Sequence, residues 1–196
     1  MFRRRDTGVL AATLFVVLIF ADPCASQDCG ALKLASATDA VNALDRGEVK
    51  TASCSRAAFR LIENLPPEEA VPILIKHLGF GRPVANEPNA HEDLYPAVDA
   101  LAEEGPAAEQ ALIDFIALLP GNNSVQYRNA LRALGMIRHG DVVPTIKLMR
   151  ERSASLAGTP AATRLDSAAQ YLMKQYCVAG RMRICEKELQ ESAPEK

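Results

Sequence analysis

The chain contains no tryptophan, and aromatic side chains make up only 5% of its 196 residues. Proteins that bind sugars or nucleic-acid bases by stacking present exposed aromatic faces to them. A chain with so few rings is poorly suited to that kind of recognition. The sequence therefore argues against a carbohydrate-binding or base-stacking platform.

Sequence motifs of the common catalytic sites are also missing. The chain has no Gly-x-Ser-x-Gly elbow, no glycine-rich phosphate loop and no His-Glu-x-x-His zinc motif. Paired carboxylates such as Glu68-Glu69 are adjacent, so on a helix they point in different directions and make a poor acid–base pair. The sequence predicts a non-catalytic protein without a cofactor, and an enzyme built from scattered residues stays as the alternative.

Only one local cluster carries side chains that commonly bind metals. His91, Glu92 and Asp93 follow one another, but they stand where an acidic helix N-terminus is expected. A single loop triad cannot close a coordination sphere without distant partners. We interpret the cluster as helix capping and predict no metal site.

The N-terminal residues have the three parts of a secretory signal. Arginines at positions 3 to 5 are followed by an apolar run over residues 9–20 and by small residues up to Ser26. The run is shorter than the roughly 20 residues that a membrane-spanning helix needs. We predict that residues 1–26 are a cleaved signal peptide and that the protein is exported to the bacterial periplasm or the medium. An uncleaved leader is the alternative and the only predicted membrane contact.

Removal of this leader leaves four cysteines: Cys29, Cys54, Cys177 and Cys185. An even number in an exported chain implies disulfides, and three pairings are open. Because each end of the chain holds two cysteines, we favour Cys29 with Cys54 and Cys177 with Cys185. In the loop-entropy model these bridges contribute about 3.5 and about 2.5 kcal/mol. A zinc site would need paired short gaps that these spacings lack.

The remaining residues have the apolar spacing of helices, without sustained two-residue alternation. Glycine and proline mark the breaks, as at Gly105-Pro106, and a loop is predicted over residues 79–91. Residues 153–160 are predicted as a linker, and a short helix follows Gly180. The main predicted helices span residues 36–46, 53–64, 93–104, 106–119, 124–138, 141–152 and 161–176. One further helix follows the break at Pro66-Pro67, with Glu68-Glu69 in its first turn and an apolar stripe from Val71 to Leu78.

A helical hairpin over residues 127–148 has weaker copies upstream, which is typical of a repeat protein. Matching positions recur at a spacing of about 32 to 35 residues. Both second helices also carry a proline in the first turn, where its missing N–H does no harm. The matched sets are Tyr95, Leu101 and Gly105 with Tyr127, Leu134 and Gly140, and Val71-Pro72 with Val143-Pro144.

The Ala-Leu-Arg-Ala-Leu-Gly run of residues 130–135, the Gly140-Asp141 turn and the following Val-Pro resemble a HEAT-type repeat. The short, bilin-lyase variety is the nearest match. This resemblance implies an α-solenoid with a concave binding face. It implies no catalytic residues, because HEAT repeats share none and the repeat itself is a scaffold.

The sequence therefore predicts an all-α protein, a short α-solenoid of about three HEAT-like hairpins with extra terminal helices. Terminal repeats must shield the exposed ends of such a core. After the signal peptide of residues 1–26, we expect four segments. These are an N-terminal helical cap (27–52), the HEAT-like repeats (53–152), C-terminal capping helices (153–190) and a disordered tail (191–196).

Charge is distributed unevenly along the chain. Residues 63–114 hold eleven acidic and two basic residues, whereas residues 128–187 hold eleven basic and four acidic residues. Such asymmetry indicates either a partner bound by one half or head-to-tail self-association. Alternatively, neighbouring repeats pair their charges, as Asp99 and Arg132 at matching positions could. Export and the acidic half argue against nucleic-acid binding.

These patterns favour an exported, non-catalytic protein that binds another protein or a peptide on the face lined by second helices. It would act as a scaffold or adaptor in the cell envelope. The alternative is a self-associating structural component of the envelope, in which case the protein forms a homo-oligomer. The residues expected to form a binding patch are Arg128, Arg132, Arg138, Lys147 and Arg150.

Overall fold

The computed structural model describes residues 29, 32–81, 95–177, 185, 187 and 189. This part of the chain is all-helical and contains no strand, which confirms the predicted all-α class. The predicted loop over residues 79–91 and the predicted tail helix lie largely outside the described residues, and the tail of residues 191–196 lies wholly outside. The helices are α1 (Ala37–Asp45), α2 (Ala52–Glu63), α3 (Pro67–Lys76), α4 (Pro96–Glu103), α5 (Pro106–Leu118), α6 (Val125–Met136), α7 (Val143–Ser155) and α8 (Pro160–Tyr176).

Local capping chemistry explains where these helices begin and end. The Ser36 hydroxyl accepts a hydrogen bond from the Asp39 N–H at 3.2 Å and so caps α1. Gly47, with a φ of 63°, follows the end of that helix in a conformation that favours glycine. Five helices carry a proline at their first or second position: α3, α4, α5, α7 and α8.

One predicted boundary is wrong. The linker expected over residues 153–160 starts too early, because α7 continues to Ser155. Ser153 is buried, and its hydroxyl donates to the Ala162 carbonyl of α8 at 3.2 Å. A neighbouring helix therefore satisfies a side chain that, in sequence, is typical of a loop.

Helices two apart in the chain lie side by side and run in the same direction. Val71 of α3 and Ala111 of α5 line one groove between their helices. Early in α7, Thr145 bonds the early α5 residue Glu109, and farther along the Asp114 carboxylate of α5 meets Arg152 of α7 at 2.9 Å. Contacts also join α2 to α4 and α4 to α6, while α8 packs on α5, α6 and α7.

Aliphatic side chains from successive helices form one continuous core. Ile62 of α2, Leu74 of α3, Leu112 of α5, Leu131 of α6 and Ile146 of α7 are all fully buried. Alanines between them allow close helix approach at no cost in helix propensity. No described helix is both long enough and apolar enough to cross a membrane.

Two disulfides connect cysteines near the chain ends. Cys29 bonds Cys54 of α2 with a Cα–Cα distance of 5.0 Å, and Cys177 after α8 bonds Cys185 at 6.2 Å. The pairing favoured from the sequence is the one found. These bonds tie Cys29 to α2 and Cys185 to the end of α8.

Candidate functional site

The predicted basic patch is distributed over α6, α7 and the loop between them. Arg128 and Arg132 are exposed one turn apart on α6, and Arg128 donates to the Asn123 carbonyl at 3.0 Å. Lys147, half-buried, and Arg150, exposed, belong to α7. The patch is therefore two pairs on two helices, with the fifth member, Arg138, between them.

Arg138 belongs to an internal network. Its Nη2 and Nε donate to the two carboxylate oxygens of Glu109 at 2.8 and 3.2 Å, and the Thr145 hydroxyl donates to the same carboxylate at 2.5 Å. Glu109 is only 2% exposed. Burial alone would raise the pKa of Glu109, but the hydrogen bonds from Arg138 and Thr145 outweigh it and lower that pKa. Arg138 thus holds helices together, and its cation is already neutralised.

Further ion pairs join helices that are not consecutive. Lys76 of α3 meets Asp45 of α1 at 2.7 Å, and Arg152 of α7 meets Asp114 of α5. Part of the charge asymmetry along the sequence is therefore compensated inside the fold. The pairing of Asp99 with Arg132 stays a prediction.

Two grooves flank α3. The groove on the α1 side has a volume of about 240 Å³, and the groove on the α5 side has about 370 Å³. Val41 of α1 and Ile73 of α3 line the first, while Pro72 of α3 and Ala107 of α5 line the second. The grooves remain open because alanine and proline side chains are too short to fill the gap between two parallel helices.

The rim of these grooves is acidic. Glu68 and Glu69, in the first turn of α3, are exposed, and each lines one groove. Among the described residues neither forms a salt bridge. The sequence-based choice of basic residues missed these positions. The signal available was the Pro-Pro-Glu-Glu and Val-Pro pattern, which we interpreted as helix-starting chemistry alone.

A larger, open depression of about 860 Å³ lies at the α7–α8 turn. Arg150 of the predicted patch lines it together with Asp166, and Gly158 and Ala157 form part of its floor. The Thr159 hydroxyl beside them accepts a hydrogen bond from the Ala162 N–H at 3.3 Å and so caps α8. The same hydroxyl donates to the Leu156 carbonyl at 2.7 Å. Arg150 is the only predicted patch residue among the residues that line the described grooves.

A fourth groove, of about 190 Å³, separates α2 from α4. Phe59, Pro96, Glu63 and Glu103 line it. Burial raises the pKa of Glu63, and the nearby carboxylates of Glu103, Glu104 and Asp99 raise it further, whereas Arg60 lowers it. The charge of Glu63 is thus poorly stabilised in the folded chain.

Titratable clusters elsewhere in the described chain have structural partners. His77 Nε2 lies 3.3 Å from the Asp45 carboxylate, and burial lowers the pKa of this histidine. In the described residues, no group of three His, Cys, Asp or Glu side chains is placed to hold a metal ion. His91, Glu92 and Asp93 lie outside these residues.

Comparison of the chain with protein-family models, curated proteins and solved structures found no significant match. The resemblance to short HEAT-type repeats stays a prediction that rests on the repeat pattern of the sequence.

Proposed function

We propose that this protein is an exported, non-catalytic α-solenoid that binds a protein or peptide segment in the cell envelope. Its stack would comprise about three HEAT-like hairpins within residues 53–152, with capping helices at both ends. The parallel contacts between helices two apart support the stack, because tandem hairpins place equivalent helices side by side. Two disulfides and an N-terminal leader pattern support export.

The observation that carries the binding role is the pair of grooves beside α3. They lie on either side of one helix, and their rim residues Glu69 and Glu68 are neighbours in its first turn. Side chains such as Ile73 and Pro72 offer an apolar floor, while Glu68 and Glu69 supply a polar rim. An apolar cleft with a few placed polar groups is typical of peptide-binding surfaces.

Site-specific crosslinking tests this assignment. A photo-crosslinking amino acid is placed at Pro72 or at Ala107, both in the α3–α5 groove. The matched control carries it at Gln170, an exposed position of α8. We expect adducts in the cell envelope from the two groove positions and none from the control. Equal yields at all three positions would show that the grooves have no special role.

Self-association is the second candidate, and one exposed side chain favours it. Leu118 at the end of α5 is 83% exposed. An exposed apolar side chain can contact a second copy of the chain, and the acidic and basic segments of two copies can attract each other. Size-exclusion chromatography across a salt series, with Leu118→Ser as the variant, tests this role. A salt-sensitive oligomer that Leu118→Ser weakens supports it, and a monomer at every salt concentration excludes it.

A further inference from the structure

The groove between α2 and α4 brings carboxylates to two helix ends of the same polarity. Glu63 is the last residue of α2, and Glu103 is the last residue of α4. The C-terminal end of a helix carries partial negative charge, so carboxylates are disfavoured there and cations are favoured. The last turn of α4 contains no basic residue. Two helix ends and two carboxylates therefore add their negative potentials in one small groove.

The cations of the groove only partly compensate this potential. Arg56 and Arg60 of α2 line the groove and are exposed, but three carboxylates line it, because Asp99 of α4 joins Glu63 and Glu103. Within the described residues, neither arginine forms a salt bridge with Glu63 or Glu103. Arg60 acts on Glu63 only as a nearby charge, and the neighbouring carboxylates oppose it. The remaining negative potential would therefore stabilise one further cation in the groove.

A second observation at this groove is a buried hydroxyl without a partner. Ser55 lines the groove, is 0% exposed, and its Oγ has no hydrogen-bond partner among the described residues. A buried polar group left unbonded costs about 1 to 3 kcal/mol. In helices, serine hydroxyls often bond a carbonyl one turn back, but this one does not. An N–H donor entering the groove would give it a partner.

The walls fit an organic cation better than a metal ion. Phe59 and Pro96, both buried, form the apolar part of the groove wall. No described group of three acidic, histidine or cysteine side chains is placed for a metal. A Lys or Arg side chain has an apolar stem and a charged head, so each part would meet matching surface. At about 190 Å³ the space is small and suits one side chain.

We propose that the α2–α4 groove binds the ammonium or guanidinium group of a lysine or arginine side chain from a partner polypeptide. The stem lies along Phe59 and Pro96, the head lies between Glu63 and Glu103, and an N–H donates to the Ser55 hydroxyl. Neither α2 nor α4 contributes to the grooves beside α3. This site and the proposed peptide face can therefore be tested separately.

Calorimetric titration of the mature protein tests the proposal with three capped tripeptides: Gly-Arg-Gly, Gly-Lys-Gly and Gly-Gly-Gly. We expect saturable one-to-one binding of the arginine and lysine peptides and none of the glycine peptide. The free diamine 1,4-diaminobutane distinguishes the source of the cation. If it binds more tightly than either basic peptide, a partner polypeptide is the wrong ligand class.

Charge-neutral variants locate the binding. Glu103→Gln should raise the dissociation constant of the arginine peptide about fivefold, the order expected for loss of one partly exposed charge pair. Ser55→Ala should also weaken binding of this peptide, because the hydrogen bond to the Ser55 hydroxyl is lost. The matched control is Glu151→Gln, which removes an equal charge from an exposed position of α7 that lines none of the four grooves. Equal weakening by the control, or no effect of Glu103→Gln in a variant with unchanged circular dichroism, overturns the site.

Discussion

Glu109 and Arg138 form a two-point ion pair that joins the first turn of α5 to the loop before α7. The two donor–acceptor distances are 2.8 and 3.2 Å, and the Thr145 hydroxyl completes the network on the same carboxylate. The carboxylate is nearly inaccessible to water. A buried charge of this kind depends on its partner, so the pair fixes how adjacent hairpins meet.

Arg138→Ala should lower the free energy of unfolding by about 2 to 3 kcal/mol, because it leaves the Glu109 carboxylate buried without its cation. Urea denaturation measures this change. The matched control is Arg152→Ala, which breaks the partly exposed pair with Asp114 and should cost less than about 1 kcal/mol. Similar losses in both variants would show that burial does not strengthen the first pair.

Glu109 should also make stability depend on acid pH. Its pKa is lowered below the ordinary value of 4.5 in the folded chain, since Arg138 and Thr145 stabilise the charged form. The unfolded state therefore binds protons first as pH falls, and the stabilisation is lost from about pH 5 downwards. In Glu109→Gln this part of the acid-induced loss should be absent. Denaturant titrations from pH 7 to pH 3 compare the two slopes.

Glu63 should behave in the opposite way. Burial and the neighbouring Glu103 raise its pKa above 4.5, so the folded chain holds this proton more tightly than the unfolded chain. Its contribution therefore falls as pH rises through the folded pKa. Glu63→Gln should stabilise the protein at pH 7, and the gain should vanish towards pH 3. The same variant should bind the arginine tripeptide more weakly. Higher stability together with weaker binding cannot result from a loss of folding.

The sequence was informative about elements whose signals are local. Ser36 and Ser124 stand at predicted helix starts and cap α1 and α6. Thr51 and Thr159 cap α2 and α8 two residues before the predicted starts at 53 and 161. The disulfide pairs were also accessible from spacing. The neighbouring residues did not predict that Ser153 is helical, because its hydrogen-bond partner belongs to the next helix.

The candidate sites could not be predicted from the sequence, because they depend on contacts between residues that are far apart along the chain. Glu109 and Arg138 are 29 residues apart, and in sequence they look like an acidic first-turn residue and an exposed basic residue. Only the packing of α5 against α7 makes one buried and the other its counter-ion. The groove at Ser55 likewise exists because α2 and α4 lie parallel. Charge counts along the chain cannot distinguish a cation that is already paired from one that is available to a partner.

Gly135 of α6 provides a test of helix approach at the end of α8. A Cβ at this position would overlap the ring of Tyr176. Gly135→Ala should therefore cost about 1 to 3 kcal/mol of stability, despite the better helix propensity of alanine. Gly121→Ala is the control, because a Cβ there meets nothing within 4 Å. Adding Tyr176→Ser should restore much of the loss if the overlap is its cause.

The two disulfides should make unequal contributions that follow loop length. Cys29 and Cys54 are 25 residues apart, whereas Cys177 and Cys185 are 8 apart. In the loop-entropy model, replacing both cysteines of a pair by serine costs about 3.5 kcal/mol for the first bridge and about 2.5 kcal/mol for the second. Denaturation of the two double variants measures this order. Non-reduced peptide mapping should find both bonds in the mature chain, and a Cys29–Cys177 peptide would contradict bridges confined to each end.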